Sequence, residues 1–492
     1  MTVRRVASLP GTARYEMVVG LEVHVQLRTA TKAFCPCDAR YGAPPNVNTC
    51  PVCLGLPGAL PVLNREAVHL AVRAAHALGC TVHPGSVFSR KNYFYPDLPK
   101  GYQISQYDQP LAARGRLELD TAGAPPVVGI TRVHMEEDAG KSIHDRYPGA
   151  TAVDLNRAGV PLIEIVSEPD LRSASDAMTY LKALKQILEY IDVSDVNMEE
   201  GSLRVDANIS ARPRGELRLG TKTEVKNMNS FSGVERALEA EFVRQCALLD
   251  RGEHVEQQTM LWDGAKSEVR PARSKEASHD YRYFPEPDLP PLVLDPAWVD
   301  DVRRELPELP RARQARFARH YALATGDIEV LTASLTLSDY FEAVAKAHDD
   351  AKAAANWVMG EVLASLNAAR TSIAGLGVTP PALARLLDMV RDGVVSHSAA
   401  KRVFAVMAET GEAADRIAER EGLVQVRDAD ELARWVDEVI VEHPAEAQRF
   451  RDGEKKLLGV LVGLVMKKSK GRADPRRVNQ LLSERAGLGE GG

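Results

Sequence analysis

The first part of the chain, residues 1 to about 293, contains short runs in which apolar and polar residues alternate. One such run covers Met17–Leu27, and others cover Gly129–Met135, Pro161–Val166 and Leu203–Ile209. Successive side chains of a strand point to opposite faces, so a period of two predicts strands with one buried face. We therefore expect these four runs to form β-strands.

Apolar residues with helical spacing occur between and after these strands. They define candidate helices at Asn64–Leu78, Ser175–Tyr190 and Phe231–Leu249. The order of strands and helices is irregular and shows no strict strand–helix–strand alternation. This order predicts an α+β domain built around a mainly antiparallel sheet.

The character of the sequence changes after the proline-rich stretch Pro285–Pro291, which is a stiff break in the chain. Beyond it, Ala, Leu, Arg and Glu dominate with helical periodicity, and strand-like alternation disappears. A second boundary is predicted near residues 408–412. We therefore predict three domains, 1–293, 294–408 and 409–492, of which the last two are helical.

The composition is that of a globular protein. Of the 492 residues, 45% are hydrophobic and 26% are charged, which excludes a mostly disordered chain. The uncharged run Gly459–Met466 is too short to span a bilayer, and Met1–Met17 lacks the apolar segment of a signal peptide. We expect a soluble, cytoplasmic protein with no membrane partner.

The charge of the chain is uneven. The net charge is −6, yet nine Lys/Arg stand against three Asp/Glu between Glu454 and Arg485. A local basic segment can contact phosphates on an otherwise acidic chain, although a solvated helical face is the alternative. The candidate phosphate contacts are Lys467, Lys468, Lys470 and Arg472.

Four of the six cysteines form a cluster in the sequence, Cys35, Cys37, Cys50 and Cys53. Each pair lies among Pro, Gly and Asn, which favours tight turns that direct two thiolates to one point. Four thiolates are typical of structural zinc or of an iron–sulfur cluster, and we predict zinc. The alternative is a residual knuckle that has lost its metal. Such a closed site leaves no position for catalysis.

Acidic residues mark a second candidate site. Glu22 and His24 share one face of the first strand, Glu164 lies in an apolar strand, and the segment His134–Lys141 is rich in carboxylates. Taken singly, each more often reports an ion pair. Several inward carboxylates on neighbouring strands would together bind Mg²⁺, or Mn²⁺ given the histidine.

An aromatic and basic segment, Arg90–Tyr107, could stack a base and neutralise phosphates, and Tyr281–Phe284 has a similar character. The alternative is a loop that its aromatic residues pin to the core. Gly140–Ser142 resembles the end of a phosphate-binding loop, but Met135 stands where that motif requires glycine. Cys80 and Cys246 show no pattern of an activated nucleophile.

Several long segments resemble the B subunits of the aspartyl/glutamyl-tRNA(Asn/Gln) amidotransferases. The likeness continues through the C-terminal residues and covers nearly the whole chain. The segments that carry it are Val19–Leu27, Cys50–Pro61, Arg90–Lys100, Asn156–Glu164, Asn197–Ser202, Glu224–Ser230 and His279–Pro290.

The resemblance implies a cradle-shaped catalytic domain, distantly like glutamine synthetase, followed by a helical domain and a helical tail domain. It implies a ligase that uses ATP to phosphorylate the Glu or Asp side chain on mischarged tRNA(Gln) or tRNA(Asn). Ammonia, channelled from a separate amidase (glutaminase) subunit that hydrolyses glutamine, then forms the amide. A small third subunit completes the complex. The local excess of positive charge between Glu454 and Arg485 predicts that the C-terminal unit, about residues 409 to 492, binds the tRNA.

The resemblance also implies roles for individual residues, with ATP, Mg²⁺ or Mn²⁺ and a structural zinc as cofactors. The catalytic and magnesium residues would be Glu22, His24, Glu137 and Glu164. The ATP- or substrate-binding residues would be Lys91, Tyr93, Lys100, Asp206 and Asn208. The alternative function is a zinc-bearing tRNA-binding scaffold without catalysis, which the acidic cluster disfavours because it would repel RNA.

Overall fold

The protein is described by a computed structural model that covers residues 12–119, 127–272, 281–426, 428–469 and 471–485. The chain divides into two compact units, Met1–Leu309 and Pro310–Gly492. In the described part of the chain, the strands and four α-helices belong to the first unit, and the second unit is helical. No helix in the described part of the chain combines the length and hydropathy that crossing a membrane requires.

Among the described residues, the first unit contains 16 strands, and 12 of them form one large sheet. Its strands are β1 (Tyr15–Gln26), β2 (Thr81–Val82), β3 (Gly85–Ser86), β4 (Phe88–Asn92), β5 (Tyr102–Gln106), β6 (Ala112–Glu118), β7 (Val127–Glu137), β8 (Lys141–Tyr147), β9 (Ala150–Asp154), β10 (Pro161–Ser167), β11 (Leu203–Pro213), β12 (Thr223–Lys226), β13 (Thr259–Asp263), β14 (Glu268–Pro271), β15 (Phe284–Pro285) and β16 (Leu292–Val293).

The large sheet has the order β14-β13-β12-β11-β1-β10-β7-β5-β4-β15, and β6 pairs with β7 and with β2. The pairs are antiparallel except for β12 with β13. Strand β1 is central, and it pairs with β10 on one side and β11 on the other. Two small two-stranded sheets, β16 with β3 and β8 with β9, accompany it.

Three helices cover the apolar side of the sheet region, and a fourth follows later in the chain. They are α1 (Arg65–Ala77), α2 (Ala174–Tyr190), α3 (Phe231–Asp250) and α4 (Pro296–Arg304). Asn64, Ser173 and Ser230 cap the first three by accepting hydrogen bonds from backbone N–H groups of the first turn. Their buried faces share one apolar core with the alternate residues of β1, β10 and β11.

The second unit is a chain of helices. They are α5 (Pro310–Tyr321), α6 (Thr325–Leu331), α7 (Leu335–His348), α8 (Ala351–Trp357), α9 (Leu363–Ala369), α10 (Pro380–Arg391), α11 (His397–Thr410), α12 (Ala414–Arg420), α13 (Ala429–Glu442), α14 (Pro444–Arg451), α15 (Leu457–Lys468) and α16 (Pro475–Arg485). A short π-helix, Val358–Val362, joins α8 to α9. One apolar cluster covers Phe317 to Ala418, and a second covers Leu432 to Leu482.

The predicted α+β fold with a mainly antiparallel sheet, followed by helices, is confirmed. All four predicted strands and all three predicted helices are present, with ends shifted by a few residues. The domain boundaries at 293 and 408 stay predictions. The division into units lies at Leu309, because α4 packs its Val302 into the core of the first unit.

Candidate active site and metal centres

The face of the sheet opposite the helices is polar around β1. In the register of the sheet, Glu22 lies opposite Asp206 of β11, and His24 lies opposite Glu164 of β10. Glu164 in turn lies opposite His134 of β7. Directly paired residues project to the same face of a sheet. Four adjacent strands therefore bring these five side chains together.

A compact cluster of His24, Glu136 and Glu164 forms the centre of this face. Each offers one ligand atom, and the three atoms lie within 4.8 Å of one another. The His24 Nε2 atom is 3.2 Å from Glu164 Oε2 and 3.6 Å from Glu136 Oε1. Both carboxylates are buried. One imidazole and two carboxylates on a rigid sheet fit a divalent cation with open positions, Mg²⁺ or Mn²⁺.

The histidine and the carboxylates of the cluster stabilise each other's charged forms. Burial lowers the pKa of His24, but the hydrogen bond to Glu164 and the nearby carboxylates outweigh it and raise the pKa to about 9. Burial alone would raise the pKa of Glu164, but the two facing histidines and Lys91 lower it. The carboxylate thus stays ionised, as a cation site requires, and a bound cation would replace the proton of His24, because an imidazole ligand is neutral.

Glu22 lies beside this cluster and is not part of it. Its Oε1 atom accepts a hydrogen bond from Asn208 Nδ2 at 2.9 Å. Burial, followed by the negative charges of Glu164 and Glu224, raises its pKa. The predicted set is thus brought together only in part, since Glu22 is adjacent and Glu137 is elsewhere.

Basic side chains surround the carboxylates on the same face. Lys91 of β4 is largely buried, and although burial lowers its pKa, the charges of Glu136 and Glu164 raise it. Lys226 of β12 lies 2.9 Å from Asp206. The ammonium of Lys91 also faces the ring of Tyr281 at 4.8 Å. These fixed cations are suited to phosphate groups.

Glu137 lies on the opposite face of β7 from Glu136, because adjacent residues of a strand point to opposite sides. Its carboxylate forms a buried ion pair with Lys100 and accepts a hydrogen bond from the backbone N–H of Ile104 at 3.0 Å. A cavity of about 80 Å³ is lined by both side chains and by Cys35 and Cys53. The glutamate of β7 that joins His24 and Glu164 in the cluster is therefore Glu136, and the predicted Glu137 lies on the other face.

The two aromatic segments meet in the structure. Strand β15 pairs with β4, and the rings of Tyr107 and Tyr283 stack with centroids 4.2 Å apart. The Tyr93 ring contacts Tyr281 edge to face at 6.0 Å, and its hydroxyl donates to Gln103 Oε1 at 3.4 Å. The aromatic residues thus pack against one another beside Lys91, and their stacking on a base stays a prediction.

The four predicted cysteines converge. The Sγ atoms of Cys35, Cys37, Cys50 and Cys53 lie within 4.8 Å of one another. The Cys50 and Cys53 sulfurs are 3.9 Å apart, and the Cys50 N–H donates to the Cys53 sulfur at 3.1 Å. A tetrahedral zinc ion with bonds of about 2.3 Å separates its sulfur ligands by about 3.8 Å. The residues therefore fit a Cys₄ metal site.

The predicted tRNA-contacting residues have different environments. Lys467 is exposed at the end of α15. Lys468 pairs with Glu442 at 2.6 Å and Glu438 at 3.0 Å. Arg472 lies over the Trp435 ring at 5.8 Å. Lys470 lies outside the described residues.

Sequence reasoning missed several residues of the polar face, chiefly Glu136, His134 and Lys226. The alternation of β7 could have found the first two, because His134 and Glu136 share a face whereas Glu137 does not. Nothing in the sequence alone places Lys226 beside Asp206, since that contact depends on the pairing of β11 with β12.

Comparison with known proteins agrees with this architecture. Residues 17–300 match the family model of the GatB/GatE catalytic domain, and residues 339–485 match that of the GatB domain. The B subunit of the aspartyl/glutamyl-tRNA(Asn/Gln) amidotransferase of Moorella thermoacetica is 53% identical over 473 residues, which cover 96% of this chain and 99% of that protein. The corresponding B subunit of Syntrophotalea carbinolica is 51% identical over 475 residues, with 96% and 99% covered.

The first match covers the sheet with its polar face, so this unit is a catalytic domain of the GatB/GatE type. The chain belongs to the family of the B subunits of the tRNA-dependent amidotransferases. The resemblance found in its sequence motifs is thereby confirmed.

Proposed function

We propose that the polar face of the large sheet is the active site of an ATP-dependent ligase that amidates mischarged tRNA. An oxygen of the Glu or Asp side chain on the tRNA attacks the γ-phosphorus of ATP, and ADP leaves. The nitrogen of ammonia then attacks the carbonyl carbon of this acyl phosphate, and phosphate leaves. Phosphorylation removes the negative charge that would repel the nucleophile and creates a good leaving group.

One observation carries this proposal, the cluster of His24, Glu136 and Glu164 with Lys91 on the same face. The three ligands would hold Mg²⁺ or Mn²⁺, which when bound offsets the negative charge of the phosphates. Lys91 contributes a fixed positive charge toward the transferred phosphoryl group. Because the strands fix all four side chains, little reorganisation accompanies the reaction.

Further residues of the face orient the substrates. Asn208 donates a hydrogen bond to Glu22, and Lys226 pairs with Asp206. The β1–β11 side of the face therefore carries both negatively and positively charged groups. Tyr93 lies on the other side of the face. We propose that these residues bind ATP or the aminoacyl end of the tRNA, and that Lys100 with Glu137 supports the site from behind.

The ammonia, in this proposal, comes from a partner amidase that hydrolyses glutamine, with a small third protein completing a cytoplasmic heterotrimer. Burial raises the pKa of the Cys80 thiol to about 12 and that of Cys246 to about 11. Neither thiol is an activated nucleophile for glutamine hydrolysis.

The C-terminal helices, about residues 409–492, would bind the tRNA through phosphate contacts. Support comes from the exposed Lys467, Arg476 and Arg477 near the ends of α15 and α16. Such contacts position a nucleic acid without reading its bases. The division into a catalytic domain 1–293, a helical domain 294–408 and this tail is part of the same proposal.

The competing function is a zinc-bearing scaffold that binds tRNA without catalysis. The two functions differ in ATP hydrolysis by the assembled complex. We expect hydrolysis to be stimulated by Glu-tRNA(Gln), Asp-tRNA(Asn) or both, and to be lost in Glu136→Gln while tRNA binding persists. ATP hydrolysis that mischarged tRNA does not stimulate, or full ATP hydrolysis in Glu136→Gln, would support the scaffold instead. Exposed Glu168, at the end of the same sheet region, provides the control variant Glu168→Gln.

A further inference from the structure

Lys32 is a completely buried lysine next to the four-cysteine cluster. Its side chain has 0% exposure, in contrast to the partial exposure that is usual for lysine. Burying an ammonium group is costly unless it is hydrogen-bonded and its charge is balanced. The partners of this group therefore indicate what it is for.

The Lys32 ammonium has three hydrogen-bond partners. It donates to the carbonyl oxygen of Asn48 at 2.7 Å, to that of Leu155 at 3.4 Å and to Cys53 Sγ at 3.7 Å. Three acceptors match its three N–H bonds. Among the described residues, no carboxylate oxygen lies within 4.0 Å of this nitrogen. The anion that balances the buried charge is therefore sulfur.

Lys32 also connects the two cysteine pairs. Its backbone N–H donates to the carbonyl oxygen of Cys37 at 3.0 Å, whereas its ammonium reaches Cys53 in the other pair. Gly159 lies against the same group, and a Cβ there would be 3.5 Å from both Lys32 Cδ and Cys53 Cβ. The lysine is thus fixed at both ends, and its position relative to the sulfurs is set by the fold.

We propose that Lys32 is a positioning residue of a Cys₄ zinc centre, where it supplies the counter-charge and a hydrogen bond to the Cys53 thiolate. Zinc with four thiolates carries two excess negative charges, and the buried ammonium balances one of them. Four neutral thiols would leave the ammonium without a counter-ion. The folded chain therefore favours the metal-bound thiolates over the metal-free thiols. Groups that hydrogen-bond to metal ligands in this way typically tune metal affinity.

The test compares zinc affinity in the full-length protein, isolated with any partner proteins that accompany it, for wild type and Lys32→Met. Methionine keeps the unbranched length and removes the charge. A coloured zinc-binding chelator measures the competition. We expect the variant to bind one zinc but about 10- to 100-fold more weakly, the usual loss when such a partner is removed. The exposed Lys222→Met is the matched control and should bind zinc as wild type does.

Cobalt substitution gives a readout that a purely structural role would not change. An N–H···S bond withdraws electron density from the thiolate, so the sulfur-to-cobalt charge-transfer band of Lys32→Met should move to lower energy. The cobalt ligand-field bands should still be those of a tetrahedral site. Should Lys32→Met not fold, Lys32→Gln, which keeps N–H donors for the two carbonyl oxygens, should show the same direction of affinity loss.

The possible failures are distinguishable. Unchanged zinc affinity and an unchanged charge-transfer band in the Lys32 variants would overturn the role of Lys32 alone. A wild-type protein that binds no zinc would remove the metal assignment on which this role rests. Neither result depends on amidation activity, so the proposed function is tested separately.

Discussion

At the scale of single residues, the adjacent Glu136 and Glu137 lie in different environments. Glu136 contributes to the cluster with His24 and Glu164, whereas Glu137 pairs with Lys100 on the other side of β7. Both carboxylates are almost fully buried. Substitution of Glu136 should therefore change cation binding, whereas substitution of Glu137 should change the stability of the fold.

We predict that Glu137→Gln lowers the free energy of unfolding by about 3 kcal/mol, because removing one member of a buried ion pair leaves the other charge uncompensated. Glu136→Gln should weaken Mn²⁺ binding, because it removes one ligand of the cluster, whereas Glu137→Gln should leave Mn²⁺ binding unchanged. Thermal unfolding and titration with Mn²⁺ measure the two effects. The assignment of faces would be contradicted if Glu137→Gln weakened Mn²⁺ binding while Glu136→Gln did not.

The residues of the site were predictable from the sequence to different extents. His24 and Glu164 follow from strand alternation together with the motif, and the four cysteines follow from their spacing. Glu136 was missed, because the motif suggested a glutamate near this position and the resemblance selected its neighbour. Contacts such as Lys226 with Asp206 depend on strand pairing, which a single sequence does not reveal.

At the scale of elements, an ion pair joins α5 to α7. Two nitrogens of the Arg316 guanidinium hydrogen-bond the two oxygens of Glu342 at 2.6 and 2.9 Å, and the Tyr321 hydroxyl donates to the same carboxylate at 3.0 Å. The bonds from Arg316, more than any other contact, lower the pKa of Glu342 to about 2. This geometry is favourable for a contribution to stability.

This contribution should depend on pH. Because the pKa of Glu342 is lower in the folded protein than its ordinary value of 4.5, its stabilisation is present above about pH 4.5 and is lost as the pH falls toward about 2. Glu342→Gln should therefore be less stable than wild type at pH 7, and the difference should shrink between pH 4.5 and 3. Urea unfolding at each pH measures it.

The control for this prediction is Glu329→Gln, at an exposed glutamate of α6. It should change stability little at any pH. A difference between wild type and Glu342→Gln that stays constant from pH 7 to pH 3 would contradict the role of the ion pair.

The elements themselves were largely predictable, since periodicity reports directly which face is buried. The ends of the aromatic segment Arg90–Tyr107 belong to β4 and β5, and its prolines lie in the connection between these strands. Helix α4 follows the change in composition but packs with the first unit. Composition reports the type of element and not the core into which the element packs.

At the scale of the whole molecule, the proposed function assigns catalysis to the polar face and tRNA binding to the basic C-terminal helices. We predict that Lys467→Ala weakens binding of mischarged tRNA and lowers the slope of log affinity against log salt by about 0.7 to 0.9, the loss of one phosphate contact. Lys401→Ala, which removes one charge from α11, where Lys401 pairs with Glu361, is the control. Equal slopes for the two variants would indicate that the basic residues of the tail form a solvated helical face and do not contact tRNA phosphates.

The central claim is that the polar face phosphorylates the side chain of the mischarged amino acid. The most direct measurement traps the acyl phosphate with hydroxylamine in the assembled complex, with Glu-tRNA(Gln) or Asp-tRNA(Asn) and ATP but no ammonia source. Hydroxylamine also cleaves the ester that joins the amino acid to the tRNA, so the product measured is the side-chain hydroxamate, separated from the α-hydroxamate. Wild type and Glu168→Gln should form this side-chain hydroxamate only with ATP, and Glu164→Gln should form it at least about 100-fold more slowly, as expected for lost electrostatic stabilisation. Equal rates in Glu164→Gln and wild type, or side-chain hydroxamate formed without ATP, would contradict the account.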